Sequence, residues 1–124
     1  MELQNFRISE FDSPDRKGSG EEMKAIFLKK LQEARTLAGI PFSINSGYRT
    51  RAYNDSLIRR GIKASPNSSH LKGLACDISC NSSTERALIM SSLIRAGFKR
   101  IGIGSTFIHV DLDLDKPQNV FWLY

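Results

Sequence analysis

Residues 69–80 read Ser-His-Leu-Lys-Gly-Leu-Ala-Cys-Asp-Ile-Ser-Cys, and this stretch holds one of the two histidines of the 124-residue chain. Its second half, Leu74 to Cys80, predicts a short strand. Alternate residues of a strand share a face, so Asp77 lies on the face opposite Cys76 and Ile78. The stretch therefore presents a carboxylate on one side of a sheet and apolar side chains on the other.

The second histidine lies in another predicted strand, Phe107 to Leu112. Alternation places His109 and Asp111 on one face of that strand, whereas Ile108 and Val110 point into the opposite packing layer. We therefore expect His109 and Asp111 to face one cleft.

His70, Asp77 and His109 together offer the ligands of a hydrolytic zinc site. Such a site uses three protein ligands of the histidine and carboxylate kind and leaves one position for water. Gly73 lets the backbone turn closely enough for the side chains of His70 and Asp77 to converge. The alternative is structural, because a histidine on an apolar strand is more often a hydrogen-bonded core residue than a ligand. The residues alone leave both interpretations open.

The rest of the chain predicts both helices and strands. The predicted helices run from Glu21 to Ala38, from about Ala52 to Arg60, and from the capping-box pattern Ser82-x-x-Glu85 to Gly97. The further strand candidates are Phe42 to Ser46, Arg100 to Ile103 and Val120 to Leu123. Because no regular βαβ alternation is present, we expect an α+β fold with a small, mostly antiparallel sheet and helices packed on one side.

Length and composition predict a single domain over residues 1–124. Hydrophobic residues make up 40% of the chain and charged residues 25%, as in ordinary globular proteins. A domain of this size needs no disulfide. Cys76 and Cys80 lie about 13 Å apart along the predicted strand, beyond the roughly 7 Å that a disulfide spans. We expect two buried, reduced thiols, with metal ligation or an intermolecular bridge as the alternatives.

The net charge of +5 and the pI near 9.5 favour anionic partners, among them nucleic acid, lipid head groups and acidic wall polymers. A nucleic-acid-binding domain is an alternative that only the charge supports, since no interleaved basic and aromatic residues or recognition-helix pattern is present. No apolar stretch has the length of a membrane span, and residues 1–7 do not resemble a secretory signal. We expect a monomer, made soluble in the cytoplasm, with no nucleic-acid or membrane partner.

Three segments of the chain resemble, in order, the signatures of the peptidase M15 family, which includes D-alanyl-D-alanine carboxypeptidases, dipeptidases and phage endolysins. They are Ser-Gly-Tyr-Arg-Thr at 46–50, Ser-His-x-x-Gly-x-Ala-x-Asp-Ile at 69–78 and Phe-Ile-His-Val-Asp at 107–111. The opening, from Phe6 to Ser19, is similar to the start of one small branch of the family. The resemblance thus covers nearly the whole chain.

The resemblance implies that His70, Asp77 and His109 bind Zn²⁺. It implies the small α+β fold shared by hedgehog signalling domains and DD-peptidases. The expected function is that of a zinc metallopeptidase, a carboxypeptidase or an endopeptidase, acting on D-amino-acid-containing stem peptides of bacterial peptidoglycan. Small size and the lack of an export signal favour a phage lytic enzyme, or endolysin, that reaches the cell wall after phage-mediated release, or else an intracellular enzyme.

The same resemblance places Arg49 near the substrate. A planar guanidinium can hold a peptide carboxylate or polarise the scissile carbonyl. The alternative for Arg49 is an ion pair on the surface. Ser46, Tyr48 and Ser69, from the same segments, are candidate substrate-binding residues. For Ser46 and Tyr48 the alternative is that they only complete a strand.

One position departs from the pattern of the family. Many members carry the general-base carboxylate three positions before the last zinc histidine, where this chain has Thr106. Asp111 is the candidate replacement, because it shares a face with His109. Its alternative role is to accept a hydrogen bond from a ligand imidazole. The departure also leaves open a catalytically inactive module of the same fold that binds peptidoglycan or a protein.

Overall fold

The computed structural model describes residues 3–62 and 64–124 and confirms the expected α+β fold. The helices are α1 (Ala25–Ala38), α2 (Arg51–Arg59) and α3 (Ser83–Arg95), and the strands are β1 (Ile44–Ser46), β2 (Ala75–Ser79), β3 (Arg100–Ile103), β4 (Phe107–Asp111) and β5 (Val120–Leu123). Three short 3₁₀ turns cover Ile8–Phe11, Ser19–Glu22 and Ser69–Lys72. None of these helices is both long enough and apolar enough to cross a bilayer.

The first helix begins later than its apolar periodicity predicts, at Ala25 rather than Glu21. The Asp12 carboxylate is the reason, because it accepts hydrogen bonds from the backbone N–H groups of Gly18 and Gly20 at 2.9 and 2.7 Å. Those bonds hold residues 19–22 in a 3₁₀ turn. The other end agrees with prediction, since Gly39 stops α1 at a φ of 69°, a conformation that glycine adopts without steric cost.

The other two helices begin at residues that cap them. Thr50 accepts a hydrogen bond from the backbone N–H of Tyr53 at the start of α2. Ser82 does the same for Glu85 at the start of α3, as its capping-box pattern predicts.

The five strands form one sheet in the order β1-β2-β4-β3-β5. All neighbours are antiparallel except β3 and β5, which are parallel. The register pairs Asp77 of β2 with His109 of β4, and His109 in turn pairs with Gly102 of β3. The sheet thereby brings two candidate ligands side by side at its centre.

One face of the sheet is buried under α1 and α3, which pack against each other. Strand residues Cys76, Ile78, Ile101, Ile108 and Val110 are all fully buried in the same apolar core as Phe27, Leu31 and Leu93 of the helices. Burial of one such aliphatic or aromatic side chain stabilises the fold by roughly 1.5–3 kcal/mol. Cys76 and Cys80 are free and buried, as predicted, and burial raises the pKa of the Cys76 thiol well above its usual range. The opposite face of β2 and β4 carries the polar side chains.

Candidate metal centre

The side chains of His70, Asp77 and His109 converge on the polar face of the sheet. Asp77 Oδ1 lies 3.4 Å from His70 Nε2 and 3.0 Å from His109 Nδ1. One ligand atom from each of the three residues falls within 4.8 Å of the others. The structure thus brings together the three residues that the sequence predicts as ligands.

The backbone explains this convergence. Asp77 and His109 are direct partners in the β2–β4 register, so their side chains lie next to each other on one face. His70 reaches them from the 3₁₀ turn that ends at Gly73, whose φ is 68°. A Cβ at Gly73 would also collide with the carbonyl oxygen of Glu22. Only glycine fits this turn without strain.

Hydrogen bonds fix which imidazole nitrogen faces the centre. His70 Nδ1 lies 2.7 Å from the carbonyl oxygen of Gly47. A carbonyl only accepts, so Nδ1 donates its proton there and Nε2 is left with a lone pair toward Asp77. His109 Nε2 lies 2.7 Å from Asp111 Oδ2 and donates to this carboxylate, so Nδ1 faces Asp77 Oδ1 at 3.0 Å. Both histidines therefore turn one ring nitrogen to Asp77 Oδ1, and a bound metal ion would replace the proton between His109 Nδ1 and Asp77.

The donor set fits a zinc ion in kind and in spacing. With metal–ligand distances of about 2.0–2.2 Å, two ligands of a tetrahedral zinc ion lie roughly 3.3 Å apart. The separations of 3.4 and 3.0 Å around Asp77 Oδ1 are close to this value, and the ligand atoms of all three residues lie within 4.8 Å of one another. Two imidazoles and one carboxylate are the ligands of many catalytic zinc sites.

The charges of the centre follow from burial and from mutual contacts. Burial lowers the pKa of His70. Burial alone would raise the pKa of Asp77, but His70 and His109 lower it further than burial raises it. For His109 the hydrogen bonds to Asp111 and Asp77 outweigh burial and raise the pKa. Asp77 is therefore ionised, as metal ligation requires.

Arg49 lies inside the site, with 9% of its surface exposed. Its Nη2 lies 3.4 Å from Asp77 Oδ2, whereas Asp77 Oδ1 is the oxygen that faces the imidazoles. Nε donates to Ser46 Oγ at 3.1 Å and Nη1 donates to Asn54 Oδ1 at 3.3 Å. All three guanidinium nitrogens thus have a protein partner, and the plane of the guanidinium is fixed.

A cavity of about 470 Å³ opens over the centre. Besides Arg49 and the three candidate ligands, its lining consists of Ile62, Ala64, Ser65, Phe107 and Tyr124. Among the lining residues that the structure describes, the only carboxylate is that of Asp77. Thr106 is exposed and does not line this cavity.

The remaining candidate residues from the sequence lie around the cavity rather than in its wall. Ser46 holds the Arg49 guanidinium. The backbone N–H of Tyr48 bonds to Phe11, and the Tyr48 ring lies 5.9 Å from the Arg16 guanidinium. Ser69 is 2% exposed and donates to Asp113 Oδ2 at 2.7 Å.

Asp111 shares the face of His109, as alternation predicts, but it is 1% exposed. Its Oδ2 faces His109 Nε2, and its Oδ1 accepts from Arg100 Nε at 2.7 Å and from the backbone N–H of Asp113 at 3.0 Å. Burial alone would raise the pKa of Asp111, yet these contacts, first of all the one with His109, lower it. The carboxylate is ionised and its two oxygens accept three hydrogen bonds.

Sequence reasoning missed Arg100, Trp122 and Tyr124. The Arg100 guanidinium lies between Asp111 and the Trp122 ring, at 4.9 Å from the ring centroid. The Trp122 and Tyr124 rings lie 5.5 and 6.5 Å from the His109 ring, centroid to centroid. A signal was available in part, since alternation in the strand predicted at 120–123, continued by one residue, puts Trp122 and Tyr124 on one face.

Comparison with known proteins agrees with this geometry. The family model of peptidase M15 matches residues 4–111, which include all three candidate ligands. No curated protein sequence matches the chain. Among solved structures, the chain is similar to the Serratia marcescens L-Ala D-Glu endopeptidase ChiX, with a TM-score of 0.64 and 20% sequence identity over 77% of this chain and 84% of that one. At this identity the similarity concerns the fold alone. Because the family model covers most of the chain and its site, this protein belongs to the peptidase M15 family.

Proposed function

We propose that the protein is a zinc-dependent endopeptidase that hydrolyses stem peptides of bacterial peptidoglycan. The observation that carries the proposal is the convergence of two imidazoles and a carboxylate within 4.8 Å at the floor of a cavity. Membership of a peptidase family and the fold of ChiX, itself described as an L-Ala D-Glu endopeptidase, support the reaction and the substrate class.

In this proposal His70, Asp77 and His109 hold the zinc ion. When bound, zinc supplies a Lewis acid that polarises a peptide carbonyl and lowers the pKa of water. The Gly47 carbonyl keeps the His70 proton on Nδ1, so Nε2 stays available as a ligand. Arg49 holds Asp77 Oδ2, which keeps Oδ1 directed at the two imidazoles.

Asp111 is a positioning residue in this proposal rather than the general base. Its hydrogen bond keeps the His109 proton on Nε2 and directs Nδ1 to the centre. A base must reach the proton that it removes. Asp111 lies outside the cavity lining, and its oxygens already accept hydrogen bonds from His109, Arg100 and Asp113.

Endopeptidase action is proposed over carboxypeptidase action because ChiX, which has a similar fold, is described as an endopeptidase. A carboxypeptidase binds the terminal carboxylate of its substrate through a cation. The Arg49 guanidinium, which lines the cavity, is already paired with Asp77.

The test uses purified protein, isolated peptidoglycan and soluble muropeptides, with zinc content measured by elemental analysis. We expect about one zinc per chain, internal cleavage of stem peptides seen by mass spectrometry, and loss of cleavage on chelation. Asp77→Ala should lose both zinc and activity. Asp55→Ala is the matched control, because Asp55 lies outside the cavity lining and its carboxylate is paired with Arg51 across one helical turn.

Each alternative gives a different result in the same experiment. Release of single C-terminal residues would identify a carboxypeptidase. Zinc-dependent binding of peptidoglycan without cleavage would identify an inactive binding module, which Thr106 and the absence of a second carboxylate among the described lining residues favour. A protein that retains no zinc would overturn the proposal.

A further inference from the structure

Tyr124 lines the cavity from the edge of the sheet opposite to Arg49. The sheet order puts β1, which leads to Arg49, at one edge and β5, which leads to Tyr124, at the other. Asp77 and His109 lie on two strands between them. Arg49 and Tyr124 thus approach the centre from opposite edges of the sheet and line the same cavity.

Gly102 makes this approach possible. It pairs with His109 on one side and with Trp122 on the other. A Cβ placed on Gly102 would lie 2.6 Å from Tyr124 Cε2 and 2.7 Å from Trp122 Nε1, closer than real contacts allow. Because the glycine has no side chain, both rings rest on the backbone of β3 beside His109.

The Tyr124 ring packs against two aromatic neighbours. Its centroid lies 4.9 Å from that of Phe107, which also lines the cavity, and 6.2 Å from that of Trp122. The backbone N–H of Tyr124 bonds to Ile103 at 3.0 Å, so the parallel pairing with β3 continues to this residue. Contacts with these two rings restrict the orientation of Tyr124, whose surface is 46% exposed.

The hydroxyl is available to a substrate. It donates no hydrogen bond to any side chain or backbone group in the described part of the chain, whereas the Arg49 nitrogens all have partners. Burial, and next the negative charge of Asp77, raise the pKa of Tyr124, although the indole N–H of Trp122 acts in the opposite direction. The phenol therefore keeps its proton at neutral pH. An O–H of this kind, on a residue that lines the cavity, can donate a hydrogen bond to a group bound there.

We propose that Tyr124 is a catalytic residue whose hydroxyl donates a hydrogen bond to the carbonyl oxygen of the scissile peptide bond. Negative charge grows on that oxygen as the carbonyl carbon is attacked, so a fixed donor stabilises the transition state more than the bound substrate. The inference rests on the proposed endopeptidase function, and it concerns a residue that none of the three sequence segments contains.

The experiment compares wild type with Tyr124→Phe, which keeps the ring and its packing and removes only the oxygen. We expect kcat on a zinc-dependent stem-peptide substrate to fall about 10²-fold, the usual effect of removing one such donor, with KM and zinc content within about twofold of wild type. Tyr53→Phe in α2, outside the cavity lining, is the matched control and should leave kcat unchanged.

A second measurement does not depend on turnover. A phosphinate analogue of the dipeptide L-Ala-D-Glu presents tetrahedral, anionic oxygens like those of the transition state, and its Ki should rise in Tyr124→Phe by about the same factor as kcat falls. An unchanged kcat and Ki, or a rise in KM alone, would overturn the role of Tyr124 while leaving the endopeptidase in place. A wild type that cleaves no stem peptide would overturn the proposed function and the role of Tyr124 together.

Discussion

Replacement of Asp111 by asparagine separates the two roles that the sequence leaves open for this residue. In the structure Oδ1 accepts two hydrogen bonds, from Arg100 Nε and from the backbone N–H of Asp113, so the asparagine oxygen will take that place. The amide nitrogen must then face His109 Nε2, at the present separation of 2.7 Å. An amide NH₂ only donates, so Nε2 has to accept.

The consequence is a change of tautomer at His109. Its proton moves to Nδ1, the atom that faces Asp77 and that ligation needs free. Loss of such a partner behind a ligand histidine costs about 10- to 100-fold in metal affinity, which is roughly 1.4–2.7 kcal/mol. Zinc affinity, measured by competition with a chromophoric chelator, should weaken by that factor in Asp111→Asn.

Kinetics at saturating zinc complete the assay. A positioning residue costs activity mainly through metal loss, so kcat should recover to within about tenfold of wild type once zinc is in excess. Asp115→Asn is the matched control, because the Asp115 side chain is 86% exposed and contacts Lys72 at the surface. Unchanged zinc affinity with a kcat at least about 10²-fold lower would refute this reasoning and make Asp111 the general base.

Three further predictions concern the surroundings of the centre. Gly73→Ala should lower the free energy of unfolding by more than about 2 kcal/mol in urea titrations, because φ is 68° and the new Cβ would meet the Glu22 carbonyl; an effect below about 1 kcal/mol would mean that the turn rearranges freely. Thr106→Ala should leave kcat/KM within about twofold of wild type, since Thr106 is exposed and outside the cavity lining. A large loss of kcat/KM would show that Thr106 takes part in the reaction. The third prediction concerns the pH dependence of stability at Asp113. Burial alone would raise the pKa of Asp113, but Lys72 and other donors lower it to about 2. A depressed folded-state pKa stabilises the fold above about pH 4 and loses that contribution toward about pH 2, so urea midpoints of wild type and Asp113→Asn should differ at about pH 5 and converge on acidification.

The candidate ligands could be predicted because the patterns that indicate them lie within short segments of the sequence. Strand periodicity alone puts Asp77 and His109 on polar faces, and a glycine close to His70 indicates a tight turn. The direct pairing of Asp77 with His109 is not local, since it depends on β2 and β4 being neighbours in register. The resemblance to the peptidase family implies that the two residues share one site, but it does not say which strands pair.

The residues that sequence reasoning missed all depend on strand order. Arg100 reaches Asp111 because β3 lies next to β4, and Tyr124 reaches the cavity because β5 adds to β3 in parallel. Alternation within β5 predicts which residues share a face but not which strand they lie beside. Gly102 would have been a signal, since a glycine inside a strand often marks a close approach by another group.

The pairing of charged side chains also depends on tertiary structure. The chain carries a net charge of +5, which from the sequence favours an anionic partner. Within the fold, a buried or half-buried carboxylate is paired with a cation from another segment in each of three cases: Asp77 with Arg49, Asp111 with Arg100, and Asp113 with Lys72. A buried carboxylate without such a partner is strongly destabilising. These three cations therefore support the carboxylates that orient the ligands and the turn before them. Because each pair is neutral, the excess of +5 lies entirely on the other side chains.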